Sequence, residues 1–285
     1  MINGFLNINK PDNITSFGVL AKLKKQFKGI KFGHMGTLDP AGVGVLPIAV
    51  GKATKLFNLV SEHKKVYRAI FVFGKETDTL DSFGEVVKKS SKIISKQLIE
   101  EKLCNFVGEL DQLPPKFSAK KINGVRAYDL ARNGEDFDLK PKRICVSRFE
   151  LVEELEENTF LFEIECSTGT YIRSLCRDLA NCLGTVGYMP LIIRLKMGDF
   201  EIDNAKTLNQ ILSQNDIKSN LIPIENVVKL QQINLSDSEF VKVRNGMMIN
   251  FNKEDGKYYL NYKENIFAVG QIKDKMLKME IYLDD

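Results

Sequence analysis

Residues 33–47 are Gly-His-Met-Gly-Thr-Leu-Asp-Pro-Ala-Gly-Val-Gly-Val-Leu-Pro, and the rest of the chain is interpreted around them. The stretch holds four glycines, two prolines, His34 and a single carboxylate, Asp39. Glycine tolerates positive φ and close backbone approach, so a shaped loop is predicted. The apolar run 43–50 predicts a buried strand. An aspartate so placed is a candidate nucleophile, although Asp-Pro also forms ordinary turns.

The segment before this loop is rich in positive charge. A helix is predicted after a cap at Thr15 or Ser16, with four residues toward the core: Phe17, Leu20, Leu23 and Phe27. Five lysines lie in or just after it: Lys22, Lys24, Lys25, Lys28 and Lys31. No Asp or Glu occurs between residues 14 and 38. A solvated helix face is one interpretation. The position beside Asp39 favours a phosphate-binding edge.

Beyond the loop, the pattern alternates between predicted helices and strands. Residues 52–64 predict a helix with Leu56, Phe57 and Val60 inward. The β-branched and aromatic run 65–73 predicts a strand. Residues 77–84 are polar, and their acids are expected to make local turns, since the spacing does not fit a calcium loop.

The segment 112–143 mixes cations with aromatic rings. It includes Lys116, Phe117, Lys120, Lys121, Arg126, Tyr128 and Arg132. This mixture suits a looped RNA, because cations bind phosphates and rings stack on bases. A solvated surface loop is the alternative interpretation.

The remaining segments predict a helix at 95–106, which ends near Gly108, and a hairpin of strands at 143–152 and 159–166. Residues 167–173 then lead into a helix at 174–183, followed by a strand at 189–196 and a helix at 208–214. The tail, residues 234–285, alternates short apolar runs with turn residues and predicts a small β domain.

Composition limits the class of protein. The chain has 285 residues, is 44% hydrophobic and carries a net charge of +4. This is ordinary for a soluble globular protein, so any RNA-binding charge must be concentrated locally. The five cysteines form no Cys-x-x-Cys pair, and with two histidines they make no plausible zinc set. Reduced, mostly buried thiols in a cytoplasm are expected. No signal peptide or membrane span is predicted.

Three motifs, in order, carry a family resemblance. The run G-H-M-G-T-L-D-P-A-G-V-G-V-L-P-I-A-V-G-K-A-T-K at residues 33–55 resembles the active-site motif of the TruB family of tRNA pseudouridine-55 synthases. Lys65-x-Tyr67, followed by T-D-T-x-D-x-x-G, resembles a second family motif, and C-S-x-G-T-Y-I-R at 166–173 a third. The resemblance covers about residues 4–200.

The sequence departs from the family pattern at three positions. The segment at 112–121 resembles the family's Q-x-P-P-x-x-S-A-x-K insertion, but Phe117 replaces the usual tyrosine and Lys120 an apolar residue. Stacking survives the first change, whereas a hydroxyl hydrogen bond does not. Arg194 aligns with the second of two family arginines, and Ile193 replaces the first.

The resemblance implies a mixed α/β (α+β) fold. Residues 1–227 are expected to form a pseudouridine synthase domain with a large, mainly antiparallel sheet flanked by helices, and with the RNA-gripping insertion at about 112–143. Residues 228–285 are expected to form a small PUA-like β domain. The phrases V-R-N-G-M-M-I and I-F-A-V-G-Q-I point to PUA, and an unrelated β barrel is the alternative.

The resemblance also implies the reaction, isomerisation of uridine to pseudouridine at position 55 in the T-loop of tRNA. Asp39 would attack either the sugar C1′ or the base C6, Arg173 would keep it ionised, and Tyr67 would lie against the base and assist proton transfer. The other expected RNA contacts are His34, Tyr171, Lys116, Phe117, Lys121, Arg126 and Arg194. No metal or organic cofactor is required, and the expected protein is a cytoplasmic monomer.

Two alternatives remain open at this stage. One is the guide-RNA-dependent relative of this family, which works within a protein–RNA particle. The long insertion and the short tail favour the stand-alone tRNA enzyme. The other is an RNA-binding or RNA-folding protein without catalysis, which would not need an Asp–Arg pair in a dry pocket.

Overall fold

The protein is described here by a computed structural model that covers residues 2–60, 64–118, 120–122, 124–135 and 137–284. Its first ten strands are β1 (Gly4–Lys10), β2 (Phe32–His34), β3 (Gly42–Val50), β4 (Lys65–Phe73), β5 (Lys75–Thr77), β6 (Val86–Lys89), β7 (Gly108–Gln112), β8 (Lys121–Ile122), β9 (Val125–Arg126) and β10 (Lys142–Glu156). The others are β11 (Thr159–Cys166), β12 (Gly187–Met197), β13 (Phe200–Glu201), β14 (Lys206–Thr207), β15 (Gln231–Asn234), β16 (Ile249–Asn250), β17 (Gly256–Tyr262), β18 (Asn265–Lys273) and β19 (Met276–Tyr282). The α-helices are α1 (Ser16–Gln26), α2 (Lys96–Leu103), α3 (Ala127–Arg132), α4 (Ile172–Cys182), α5 (Leu208–Leu212), α6 (Ile224–Val227) and α7 (Asp237–Arg244).

In the described residues, ten strands form one large sheet in the order β14-β1-β3-β12-β4-β11-β10-β7, with β2 on β3 and β13 on β12. All these pairs are antiparallel except β1 with β14 and β3 with β12. The parallel pair of β3 and β12 lies in the middle of the sheet and sets Gly44 opposite Arg194. The end of the glycine-rich loop is therefore fixed beside β12. The predicted large, mainly antiparallel sheet is confirmed.

One core lies between this sheet and helices α2 and α4. Strand β4 alternates, so that Tyr67, Ala69, Phe71 and Phe73 are buried on one face. They pack with the inward residues of β11 and with Leu175 and Leu179 of α4. Helix α4 begins against the centre of this sheet, and the first turn of α4 reaches the glycine-rich loop.

A second core lies under α1 and α5, and it corrects one prediction. Thr15 caps α1 by accepting a hydrogen bond from the Gly18 N–H at 2.8 Å, as predicted. Val19 faces the core instead of Phe17, which is 67% exposed. Leu20, Leu23 and Phe27 are buried as expected. The helical period allowed two adjacent faces, and the inner one is set by packing on β1 and β3.

Residues 52–64 also differ from the prediction. A 3₁₀ helix spans Gly51–Leu59 instead of an α-helix, and residues 61–63 lie outside the described part. Leu56 is buried, but Phe57 is 52% exposed. The cysteines correct a further expectation, because Cys104, Cys145 and Cys182 are exposed and only two are buried.

The tail forms a five-stranded sheet in the order β15-β17-β18-β19-β16, packed against α7. A separate cluster joins this sheet to the large one, since Tyr259 and Val269 pack with Phe5 and Ala49. The Tyr259 hydroxyl donates to the Val228 carbonyl at 2.9 Å. The predicted small β unit at the C-terminus is confirmed. No helix of the described residues is long and apolar enough to cross a membrane.

Candidate active site

The loop between β2 and β3 carries Asp39 and is held by buried hydrogen bonds. The Ser16 hydroxyl donates to the Leu38 carbonyl at 3.0 Å and accepts from the Leu38 N–H at 2.9 Å. Ser16 is 2% exposed, and the Leu38 side chain is buried in the core below. The Gly42 N–H donates to the Asp39 carbonyl at 2.9 Å, closing a turn. The backbone on both sides of Asp39 is thereby fixed.

Arg194 holds the same loop from below. Its side chain is completely buried, and Nε donates to the Val45 carbonyl at 2.7 Å while Nη2 donates to the Gly36 carbonyl at 3.1 Å. The contact of Arg194 with the substrate stays a prediction, and the structure shows a buried support of the loop. The register of β12 turns its side chain inward, where its donors are used by the loop.

A close approach at Gly44 explains one glycine of the motif. Its φ is +99°, and a Cβ there would run into the backbone carbonyl of Arg194. A side chain at this position would therefore strain the turn and push β3 from β12. The glycine is required by the same parallel pairing that delivers Arg194 to the loop.

Lys10 is a third support, and the sequence analysis did not identify it. Its ammonium group donates to the carbonyls of Pro11 at 3.0 Å, Ile14 at 2.6 Å and Pro40 at 3.1 Å. Burial lowers its pKa to about 8, opposed by the charges of Asp12 and Asp39. A lysine directly before a proline gives no local sign of this role. The bond to Pro40 places a cation one residue beyond Asp39.

Asp39 is paired with Arg173, as predicted. The Arg173 Nη2 atom lies 2.8 Å from Oδ2 of Asp39. The arginine is in the first turn of α4 and its side chain is 6% exposed, whereas the carboxylate is 40% exposed. An ion pair at this distance stabilises the charged carboxylate. The aspartate is thus held from behind and remains open to a ligand in front.

Asp81 completes an ion network that the sequence did not reveal. Its Oδ2 lies 3.1 Å from Nη1 of Arg173. Its Oδ1 accepts from the Thr79 hydroxyl at 2.6 Å and from the Phe83 N–H at 3.0 Å. The expected local turn contacts do exist, but the second oxygen is used for a contact 92 residues away. The motif T-D-T-x-D was the only available signal.

Arg173 also joins the site to the insertion. Nη1 donates to the Thr79 carbonyl at 2.9 Å, and Nη2 donates to the Phe117 carbonyl at 3.1 Å. The Leu113 carbonyl accepts from the Ser174 hydroxyl at 2.9 Å. The base of the insertion therefore rests on the first turn of α4.

Tyr67 lies in the same region, on the buried face of β4. In the sheet register it is opposite Arg194 on β12 and Ile164 on β11. Burial raises its pKa, opposed by the positive charge of Arg194 and reinforced by Cys166 and Asp39. The phenol is therefore neutral at physiological pH and has a hydroxyl proton to give.

His34 ends β2 and is half-buried. Its Nδ1 atom is shielded from solvent and lacks a hydrogen-bond partner among the described residues. Burial lowers its pKa, and Arg194 acts in the same direction. The ring is therefore neutral near pH 7, which suits stacking or hydrogen bonding with a base.

The remaining predicted residues lie along the insertion and its base. Tyr171 is half-buried at the N-terminus of α4, and the Gln112 side chain bonds to its backbone N–H at 2.8 Å and its carbonyl at 3.0 Å. Lys116 is exposed and Phe117 is half-buried. The side chains of Lys121 and Arg126 lie outside the described part of the structure.

Two rings and a cation form a small cluster at the surface of the insertion. The Phe117 and Tyr128 rings meet edge to face at 5.9 Å, and the Arg132 guanidinium lies 5.3 Å from the Tyr128 ring centre. Tyr128 is 41% exposed. An exposed ring flanked by a cation can stack on an unpaired base.

The chemistry of the site rests on a partly open carboxylate, a buried arginine and a neutral phenol. Within the described residues, no group of three or more His, Cys, Asp or Glu side chains could hold a metal ion. The five lysines of the predicted edge beside the loop are all exposed: Lys22, Lys24, Lys25, Lys28 and Lys31. A partly open carboxylate beside a buried arginine is an arrangement that can supply a nucleophile.

Comparison with known proteins agrees with this geometry. Residues 24–172 match the family model described as TruB family pseudouridylate synthase (N terminal domain), a span that includes Asp39 and Tyr67. A tRNA pseudouridine synthase B of Clostridium kluyveri is 39% identical over 281 residues, covering 98% of this chain and 92% of the relative. The tRNA pseudouridine synthase B of Streptococcus sanguinis is 34% identical, covering 97% and 98%.

Solved structures share the fold. A structure of an H/ACA RNP bound to a substrate RNA containing 2′-deoxyuridine matches with a TM-score of 0.71 at 22% identity, covering 99% of this chain and 85% of that one. A Cbf5-Nop10-Gar1 complex matches with a TM-score of 0.70 at 24% identity, covering 98% and 84%. The fold, the family match and the sequence relatives agree, and the chain belongs to the TruB family of pseudouridylate synthases.

Proposed function

We propose that this protein isomerises uridine to pseudouridine at position 55 in the T-loop of tRNA, acting as a monomer and without a guide RNA. The observation that carries the proposal is the 2.8 Å pair between Asp39 and the buried Arg173. Relatives of 34–39% identity over nearly the whole chain bear the name tRNA pseudouridine synthase B, which supports tRNA as the substrate.

The reaction is an isomerisation in which the bond from C1′ to N1 breaks and a bond from C1′ to C5 forms. N1 gains a proton and C5 loses one, so no redox partner is needed. Asp39 supplies the nucleophile and attacks either C1′ or C6. Arg173 holds its Oδ2, so attack comes from the other oxygen or follows rotation of the pair. Asp81 fixes Arg173 on its far side.

Tyr67 has the proton-handling role in this proposal. It lies opposite Arg194 in the sheet register, and its raised pKa keeps it a phenol. The phenol can give its hydroxyl proton to N1, and the phenolate so formed can take the proton from C5, which restores the phenol. Its ring also gives the base an apolar surface against which to rotate.

The RNA contacts are expected on the surface around Asp39. The target uridine must leave the stacked T-loop, at a cost of a few kcal/mol, and surrounding side chains replace the lost stacking. His34 and Tyr171 are next to the pocket, and Lys116, Phe117, Lys121 and Arg126 belong to the insertion. The lysine edge of α1 would bind backbone phosphates.

The proposal also divides the chain. Residues 1–227 would carry out catalysis, and residues 228–285 would form a PUA-like module that adds RNA contacts. In support, the tail sheet has its own core with α7. The shared cluster around Phe5 and Tyr259 would hold the module at a fixed angle.

The decisive experiment incubates the purified protein with an unmodified tRNA transcript and no other RNA, then maps pseudouridine along the product. The expected result is pseudouridine at position 55 and none in a matched transcript with cytidine there. Product that forms only when a guide RNA is added would favour the guide-dependent relative. Tight binding of the transcript without product would favour a non-catalytic RNA-binding protein.

A further inference from the structure

Lys65 is a cation at the edge of the pocket that the proposed reaction does not use. It begins β4, two residues before Tyr67, and both side chains are on the buried face of the strand. A rise of about 3.4 Å per residue puts it about 7 Å along the strand from Tyr67. Its register partner Met197 would contact a Cβ at Gly36, in the Asp39 loop, at 3.3 Å. Lys65 therefore borders the site.

The surroundings of Lys65 are positive. Its exposure is 9%. Burial lowers its pKa to about 8, the charges of Arg194 and Lys142 act in the same direction, and only the Cys166 thiol opposes them. Among the described residues, no carboxylate is within ion-pair distance of Lys65. Burial removes the water that would stabilise this ammonium, and the two neighbouring cations repel it. A bound anion is therefore stabilised here, because its charge offsets both effects.

Lys142 approaches the same place from another strand. It begins β10 and is exposed. A Cβ added at Gly169 would collide with its Nζ, so the ammonium lies directly over the backbone of that glycine. Gly169 belongs to the turn that leads into α4, whose Arg173 holds Asp39. The two lysines, one buried and one exposed, are therefore close enough for their charges to interact beside the turn that leads into α4.

We propose that Lys65 and Lys142 together bind one backbone phosphate of the RNA strand, next to the uridine that enters the pocket. This inference rests on the proposed function, because it takes the bound strand to be the substrate. A lysine binds phosphate as a point charge and needs no fixed fork geometry. The pair would fix the position of the sugar relative to Asp39, while Tyr67 contacts the base.

The test uses T-arm hairpin RNAs in which one phosphate at a time is replaced by an uncharged methylphosphonate. Affinity is measured by fluorescence anisotropy with Asp39→Asn protein, so that turnover does not interfere. The variants Lys65→Met and Lys142→Met are made in that background. Lys96→Met, at an exposed position on α2, removes the same charge from an element that the proposal does not place against RNA and is the matched control.

One linkage beside the target uridine is expected to weaken binding by the parent about tenfold when it is uncharged. Lys65→Met should bind the fully charged RNA about tenfold more weakly and lose nothing further at that linkage. Lys96→Met should keep the full sensitivity. If every linkage matters as much to Lys65→Met and Lys142→Met as to the parent, the proposal is wrong.

A stability measurement separates this role from a structural one. Removing a buried cation without a counterion should leave the melting temperature of Lys65→Met equal to or above that of the parent. A clear fall in melting temperature together with unchanged linkage sensitivity would show that Lys65 only supports the fold. Lys142→Met, at an exposed position, gives the same linkage test independently of folding. Failure of the wild type to modify any tRNA would instead overturn the proposed function.

Discussion

The Asp39 loop and the insertion at residues 112–143 are held in opposite ways. The loop is fixed by buried groups on three elements: Ser16 on α1, Lys10 on β1 and Arg194 on β12. The insertion is attached at its base, through Gln112 and the Leu113 and Phe117 carbonyls, while Tyr128 projects to solvent. Under the proposed function, the part that would carry the chemistry is prepared in advance, and the part that would meet RNA presents exposed side chains.

Among changes to the supports of the Asp39 loop and to the insertion, the largest effect is expected from Arg194→Lys. Lysine keeps the charge but cannot reach the Val45 and Gly36 carbonyls together, so buried acceptors are left unsatisfied. Unfolding free energy should fall by about 2–4 kcal/mol and kcat/KM by at least about 100-fold. Denaturant unfolding and steady-state kinetics measure both. The control Arg68→Lys, at a half-exposed arginine on β4, should change stability by under about 0.5 kcal/mol.

Asp81→Asn tests whether the ion network acts on the chemical step. Asparagine has nearly the same volume, but its amide has one acceptor oxygen in place of two. If the NH₂ group faces Arg173, two donors meet, and if it faces the other way, the bonds from Thr79 and Phe83 lose their acceptor. We expect kcat to fall about 10- to 100-fold with KM little changed. Asp78→Asn, at an exposed position of the same loop, is the control and should stay within twofold of wild type. Equal losses of kcat in the two variants would refute an effect of this network on the chemical step.

Ser16→Ala removes one clamp from the Asp39 loop. The Leu38 N–H and carbonyl, both bound by the serine hydroxyl, become unsatisfied in a buried place. The variant should lose about 1–3 kcal/mol of unfolding free energy and a smaller share of activity than Arg194→Lys. Urea denaturation gives the first value. Ser219→Ala, at an exposed serine, should be silent, and a silent Ser16→Ala would mean that the loop does not depend on this clamp.

A pH series extends the comparison to the buried lysine Lys65. Its pKa is about 8 in the folded protein and 10.5 when unfolded, so between these values the unfolded chain binds more protons. Stability from this group therefore increases as pH rises from 8 to 10.5. Burial raises the pKa of the Cys166 and Cys176 thiols, which act in the opposite direction, so the useful quantity is a difference. Over this pH range, the unfolding free energy of wild type should rise by about 1–3 kcal/mol relative to that of Lys65→Met.

The smallest effect is expected in the insertion. Tyr128→Ala should raise KM about fivefold through lost stacking, with kcat and unfolding free energy nearly unchanged. Tyr128→Phe keeps the ring and should bind RNA as wild type does. A drop in kcat or in unfolding free energy for Tyr128→Ala would contradict the contrast between the Asp39 loop and the insertion.

Sequence patterns predicted the local structure and the main pair of the site. Strand β4 has the predicted bounds 65–73, because its alternation and composition leave one interpretation. Asp39 and Arg173 meet as the motifs implied. The contact from Asp81 to Arg173 and the bond from Lys10 to Pro40 were missed, because each joins segments distant in sequence without a local signature.

The direction of a side chain was harder to predict than the element that carries it. Arg194 was placed on the correct strand, yet its burial follows from pairing with β3, which no local pattern encodes. Phe17 lies on the predicted helix but on its outer side, because packing selects between adjacent faces. Burial of a cation is the least predictable feature, since lysine and arginine are usually exposed.

The most direct test of the account is tritium release from a T-arm RNA carrying [5-³H]uridine, with wild type and Asp39→Asn compared side by side. We expect release by wild type and a loss of more than about 1,000-fold in Asp39→Asn, with RNA affinity retained. Release by both proteins at similar rates would contradict the role of Asp39 as nucleophile.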